Sequence, residues 1–111
     1  MMFATAASAV LAANPVVPGV GMADSHVHVM NDGTGKQEFF MFATHDYSPQ
    51  NKQFKMLDWW VWSSPDLVSW TKENIVKPSQ LEWDTDPTEC WATDGAQLNG
   101  STYFYVSAGP T

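Results

Sequence analysis

No stretch of this chain sustains an apolar period of 3.6 residues, and that absence constrains its fold more than any other feature. The sequence offers short apolar and aromatic runs closed by turn residues instead. His26-Val27-His28-Val29-Met30 is followed by Asn31-Asp32-Gly33, and Glu38 to Thr44 (EFFMFAT) is almost continuously apolar. A tight Gly-containing turn between two such runs predicts an antiparallel hairpin with a slightly long loop. Trp59 to Ser63 (WWVWS) predicts a third strand, closed by Ser64-Pro65-Asp66, and Trp70 to Val76 a fourth, edge-like one ended by Lys77-Pro78. Gly95 to Leu98 and Thr102 to Ser107 predict a further hairpin about Asn99-Gly100. The expected fold class is all-β and antiparallel.

Composition narrows the partners. Of 111 residues, 5 are cationic and 12 acidic, giving a formal charge of −7. Every cation is a lysine. Phosphate neutralisation draws on clustered Lys and Arg, so a nucleic-acid partner is excluded. The single cysteine, Cys90, rules out an intrachain disulfide framework and a multi-Cys zinc site, and reads as a small buried apolar residue. Aromatics make up 14% against 15% charged residues, which excludes a disordered tail and suits a neutral partner such as a sugar.

Residues 1–13, MMFATAASAVLAA, are small, apolar and uncharged. They read either as a remnant of a secretory signal, lacking its cationic start, or as an Ala-rich leader. The run is shorter than the roughly 20 apolar residues a bilayer span needs, so no membrane partner is expected. Secretion is the expected localisation. Asn14-Pro15 and Pro18-Gly19 interrupt any helix, and the folded unit is expected over residues 14–111.

Asp24 opens a short strand, a Gly-containing turn and an aromatic strand, Phe39-Phe40-Met41-Phe42. Asp94, 70 positions later, opens the same parts: short strand, Asn99-Gly100, then Tyr103-Phe104-Tyr105. Four strands followed by the start of the same pattern is what radial repetition of four-stranded blades predicts. The first blade is expected at about residues 22–78 and the start of a second at about 88–111.

Three segments in order carry a family resemblance. Asn14-Pro15-Val16 with Ala23-Asp24, and then Ala43-Thr44-His45-Asp46, resembles the opening blade of glycoside hydrolase family 43. Val61-Trp62-Ser63-Ser64-Pro65-Asp66-Leu67-Val68-Ser69-Trp70 is similar to that family's blade ending. Trp91-Ala92-Thr93-Asp94, with Asn99-Gly100 and Tyr103-Phe104-Tyr105, is similar to the opening of its second blade. The chain departs from the family pattern at Asp24-Ser25, where Asp-Pro is usual, and at Trp91-Ala92-Thr93, where Trp-Ala-Pro is usual.

The resemblance implies the first one and a half blades of a five-bladed β-propeller, with the remaining blades outside this chain. It implies an inverting glycosidase acting on arabinose-, xylose- or galactose-containing oligo- or polysaccharides. Inversion needs one carboxylate to deprotonate water and one carboxylic acid to protonate the leaving oxygen. By position Asp24 corresponds to the general base, while the acid and the residue tuning it correspond to later blades. Trp91 would line the sugar subsite, Asp94 would be a pocket or blade-holding residue, and His45, Asp46 and His26 would contact substrate. No cofactor is implied beyond a structural ion at the centre of a complete ring. The fragment alone is expected to be inactive, with open strand edges.

Each residue also has a structural reading: Asp24 as a turn cap, Trp59, Trp60, Trp62 and Trp70 as inter-blade packing, and Phe39, Phe40 and Phe42 as core. Asp24-Ser25-His26-Val27-His28 resembles the first metal motif of amidohydrolase barrels, because histidines at i and i+2 of a strand point the same way. That alternative requires a parallel barrel with helices between strands. A non-catalytic carbohydrate-binding β-domain is the other alternative.

Overall fold

The computed structural model describes residues 15–47, 50, 52, 55–83 and 90–108. They form two antiparallel sheets and, among the described residues, no α-helix. The first sheet is a meander whose spatial order is its chain order: β1 (His26–Asn31), β2 (Gln37–Tyr47), β3 (Lys55–Ser64) and β4 (Thr71–Val76). A 3-10 turn, Pro78–Gln80, follows β4. The second sheet is the hairpin β5 (Cys90–Leu98) and β6 (Ser101–Ala108). No helix among the described residues is long and apolar enough to cross a membrane.

The strands run past the apolar segments that announce them. β2 continues through His45, Asp46 and Tyr47, and β3 begins at Lys55, because backbone pairing carries on after side-chain burial stops. β5 likewise starts at Cys90 rather than Gly95, with Thr93 opposite Val106 and Asp94 opposite Tyr105. Asp94 therefore sits inside a strand, whereas Asp24 precedes one. The two halves of the sequence repeat thus place their aspartates differently relative to the strands. The Cys90 side chain lies outside the described residues.

Turn chemistry sets the connections. Asn99 and Gly100 have φ of 52° and 79°, the two positive values that a tight two-residue hairpin loop requires. In Ser64-Pro65-Asp66-Leu67-Val68-Ser69, Asp66 Oδ1 accepts the backbone N–H groups of Val68 and Ser69 at 2.8 and 2.7 Å. These bonds hold the Asp66 carboxyl below its ordinary range, the Ser69 N–H contributing most. Asp66 is thus occupied in folding the β3–β4 loop.

The core lies between the sheets. Phe42 and Trp59 are 2% and 0% exposed, and burying each aromatic side chain stabilises the fold by about 2 to 3 kcal/mol. Phe104 of β6 packs on both, with ring centroids 5.7 Å from Phe42 and 6.2 Å from Trp59. Met56, Val76, Leu81, Trp91 and Val106 extend this cluster. Trp59 Nε1 donates to the Trp91 carbonyl at 2.7 Å, so the buried indole N–H is satisfied across the sheets.

The tryptophans divide by face. Trp59 and Trp60 are consecutive in a strand and point to opposite sides of it. Only Trp59 packs between the sheets. Trp60 and Trp62 neighbour one another on the other side, with centroids 5.7 Å apart, and Lys72 Nζ lies over both rings. The expectation that all of them pack between blades is corrected to this extent: within the described residues, Trp60 and Trp62 pack on their own sheet.

Candidate functional site

The segment ahead of β1 is pinned to the end of β2. The Thr44 N–H donates to Ala23 O at 3.2 Å, and the Asp46 N–H donates to Gly21 O at 2.9 Å. Thr44 is fully buried; its Oγ1 accepts the Ala23 N–H at 3.2 Å and approaches Asp46 Oδ1 at 2.9 Å. This ladder delivers Asp24 to the lip of the sheet, exposed and with a left-handed φ of 49°. Asp tolerates that conformation better than most residues, and backbone strain of this kind recurs where a side chain must be aimed. Among the described residues no group hydrogen-bonds the Asp24 carboxylate, so the turn-capping reading finds no partner.

Two residues on, the histidines of the Asp24-Ser25-His26-Val27-His28 motif converge on one carboxylate of the other sheet. His28 Nε2 lies 2.6 Å from Asp94 Oδ1, and His26 Nδ1 lies 3.3 Å from Asp94 Oδ2. The Gly95 N–H donates to the same Oδ1 at 2.7 Å. Asp94 is held below the ordinary carboxylate range, first by the His28 hydrogen bond and then by the Gly95 N–H. The shared orientation of the two rings follows from the strand, but its use is to grip Asp94. The metal reading loses its scaffold as well: the described strands form antiparallel sheets rather than a parallel barrel. Among the described residues no set of three His, Cys, Asp or Glu side chains is disposed to hold a metal.

Gln97 completes the junction. Its Oε1 accepts the Asn31 N–H at 2.9 Å and its Nε2 donates to Asn31 O at 3.1 Å, so a side-chain amide caps the free edge of β1. Sequence reasoning missed Gln97, and no local signal marks it.

The other candidates fall in two places. Trp91 is half-buried against the Met56 and Trp59 cluster, with its carbonyl engaged by Trp59; its contacts are those of a packing residue. His45 and Asp46 sit at the same strand end as Asp24, yet they face different neighbours. Asp46 meets Thr44, whereas His45 Nδ1 pairs with Asp58 Oδ1 at 2.8 Å and stacks on Trp60 at 4.0 Å. A register shift between His45 and Asp46 separates them. Asp58 is a second residue that sequence reasoning missed.

His26, like its register partner Phe42, faces the second sheet and Asp94, whereas His45 and Asp58 share the opposite face of the first sheet with Trp60. Of the candidate carboxylates and imidazoles, the exposed Asp24 carboxylate is the one without a described partner, and it can accept hydrogen bonds from hydroxyls or water. Toward the end opposite Asp24 a cavity of about 430 Å³ lies between the sheets, lined by Phe40, Phe42 and Phe104 together with Asn31 and Gln97. No known family model matches the chain, and no curated protein matches it.

Proposed function

We propose that this chain is part of a secreted β-propeller glycoside hydrolase similar to family 43, cleaving arabinose-, xylose- or galactose-containing glycans with inversion, and that Asp24 is its general base. One observation carries the reading: a four-stranded meander in chain order with the next hairpin docked face-on against it. Radial repetition of four-stranded blades would build such a pair of neighbours. Asp24 at the lip of the first strand, exposed and without a protein partner among the described residues, is suited to take a proton from water.

In this mechanism Asp24 is ionised and withdraws a proton from a water poised at the anomeric carbon, while a carboxylic acid outside the described residues protonates the leaving oxygen. Asp94, committed to His28 and Gly95, holds two blades in register rather than moving protons. The test is hydrolysis of aryl α-L-arabinofuranosides and aryl β-D-xylosides by the complete reading frame that encodes this chain. Turnover that falls at least about 1000-fold in Asp24→Asn, with folding retained, supports the assignment. Near-normal turnover in that variant ends it. Sugar binding without hydrolysis by the unmodified protein would assign a carbohydrate-binding domain instead.

A further inference from the structure

We propose that Asn99 is the acceptor of an N-linked glycan, added to its side-chain amide as the chain passes through a eukaryotic secretory pathway. The proposal rests on the secreted reading above for its occasion and on the β5–β6 hairpin for its geometry.

The acceptor triplet is present once and the turn presents it. Alone among the asparagines of the chain, Asn99 is followed two positions on by a hydroxyl residue, in Asn99-Gly100-Ser101. Asn-x-Ser with x other than proline is the triplet that an oligosaccharyl transferase accepts, and the product is a bulky, solvated group that only a surface position tolerates. Leu98 and Ser101 are register partners that close the hairpin, so Asn99 and Gly100 are the whole of its two-residue loop. All three residues of the triplet are exposed. A Cβ built on Gly100 meets nothing within 4 Å, so the space beside the acceptor is open. The chain reverses through the positive φ values of Asn99 and Gly100, 52° and 79°. Among the described residues no side-chain hydrogen bond engages the Asn99 carboxamide; the polar clasp at this end is made by Gln97 on Asn31 instead. A glycan on Asn99 therefore displaces no packed side chain and breaks no ladder bond.

The tip also lies away from the proposed chemistry. Gln97, near the end of β5, bonds the backbone of Asn31 at the end of β1, which sets the Asn99-Gly100 loop beside the β1–β2 turn. Asp24 precedes the other end of β1, and the six extended residues between span about 20 Å. The glycan is thus carried on the rim opposite Asp24, and that rim faces solvent in the whole protein.

The transfer balances without any redox partner. Asn99 Nδ2 attacks the anomeric carbon of an oligosaccharide linked to a lipid pyrophosphate. A C–N bond forms as the C–O bond to the pyrophosphate breaks. The departing lipid pyrophosphate takes the electron pair, and one Nδ2 proton is released.

The test is expression of the complete reading frame in a eukaryotic cell, once with its own residues 1–13 and once with a host signal peptide in their place. Protein from the medium and from microsomes is treated with peptide-N-glycosidase in ¹⁸O-water and mapped. Residue 99 should appear as ¹⁸O-labelled aspartate. Asn99→Gly, which keeps the positive φ, and Ser101→Ala, which keeps the asparagine, should each lose the label completely, and Ser101→Thr should retain it. Absence of the label in protein that has entered the secretory pathway overturns the inference and leaves the secreted reading standing. A label that persists in Ser101→Ala is spontaneous deamidation of the Asn-Gly pair and also overturns it. A label with the host signal but none with the native residues 1–13 supports the acceptor and removes the secreted reading.

Discussion

The phenyl ring of Phe42 occupies the space that a side chain on Gly95 would need. An ideal Cβ built on Gly95 would fall 2.3 Å from Phe42 Cζ and 2.4 Å from Cε2, far inside van der Waals contact. Phe42 is on the central part of β2 and Gly95 on β5, so this close approach sets the spacing of the two sheets where they meet.

Gly95→Ala should consequently cost about 1 to 3 kcal/mol, the usual penalty for overpacking a dense core. Urea denaturation followed by tryptophan fluorescence measures it. Phe42→Leu on the same background should recover part of the loss, because it removes the ring atoms that the new methyl meets. Equal stability of the single variant and the parent would mean that the sheets do not pack through this contact.

Gly100 gives the opposite case. Its φ is 79° and nothing lies within 4 Å of an added Cβ, so a substitution there meets backbone strain and no steric neighbour. Gly100→Ala should cost about 1 kcal/mol, with no rescue from any core variant, whereas Asn99→Gly should be nearly neutral. Comparing the rescue patterns at Gly95 and Gly100 separates packing from conformation.

Asp94 links stability to pH. Its folded carboxyl is held below the ordinary value of 3.8, chiefly by His28 and then by the Gly95 N–H. A depressed carboxylate stabilises the folded state above the unfolded pKa, and that contribution disappears as pH falls through the folded one. Denaturation midpoints should accordingly drop below about pH 4, more steeply in the parent than in Asp94→Asn. The effect should be modest, since the Asp94 side chain is 43% exposed and solvent screens it. Parallel pH profiles for the two proteins would remove Asp94 from the account.

Trp59→Phe removes both ring volume and the Nε1–H that the Trp91 carbonyl accepts at 2.7 Å. The cavity and the unpaired carbonyl together should cost about 2 to 4 kcal/mol. Amide exchange along β5 should accelerate in this variant, because the lost bond is one that ties β5 to the first sheet. Unchanged exchange in β5 would show that apolar packing alone holds the hairpin.

The sequence by itself determined the antiparallel all-β class, the existence of the strands and the Asn99-Gly100 turn. Those depend on local chemistry: side-chain alternation, β-branching, and the residues that accept positive φ. Strand ends were less legible, as β2 and β3 show, because pairing through His45 and Asp58 proceeds without any apolar run to announce it. The paired orientation of His26 and His28 could be read from their spacing, but the partner could not. Asp94 lies 66 residues beyond His28, and only the docking of one sheet on the other brings its carboxylate within 2.6 Å. The same holds for Gly95 under Phe42, Gln97 on Asn31, and Asp58 beside His45. Each is a choice of register or of inter-sheet packing, and local periodicity carries no information about either.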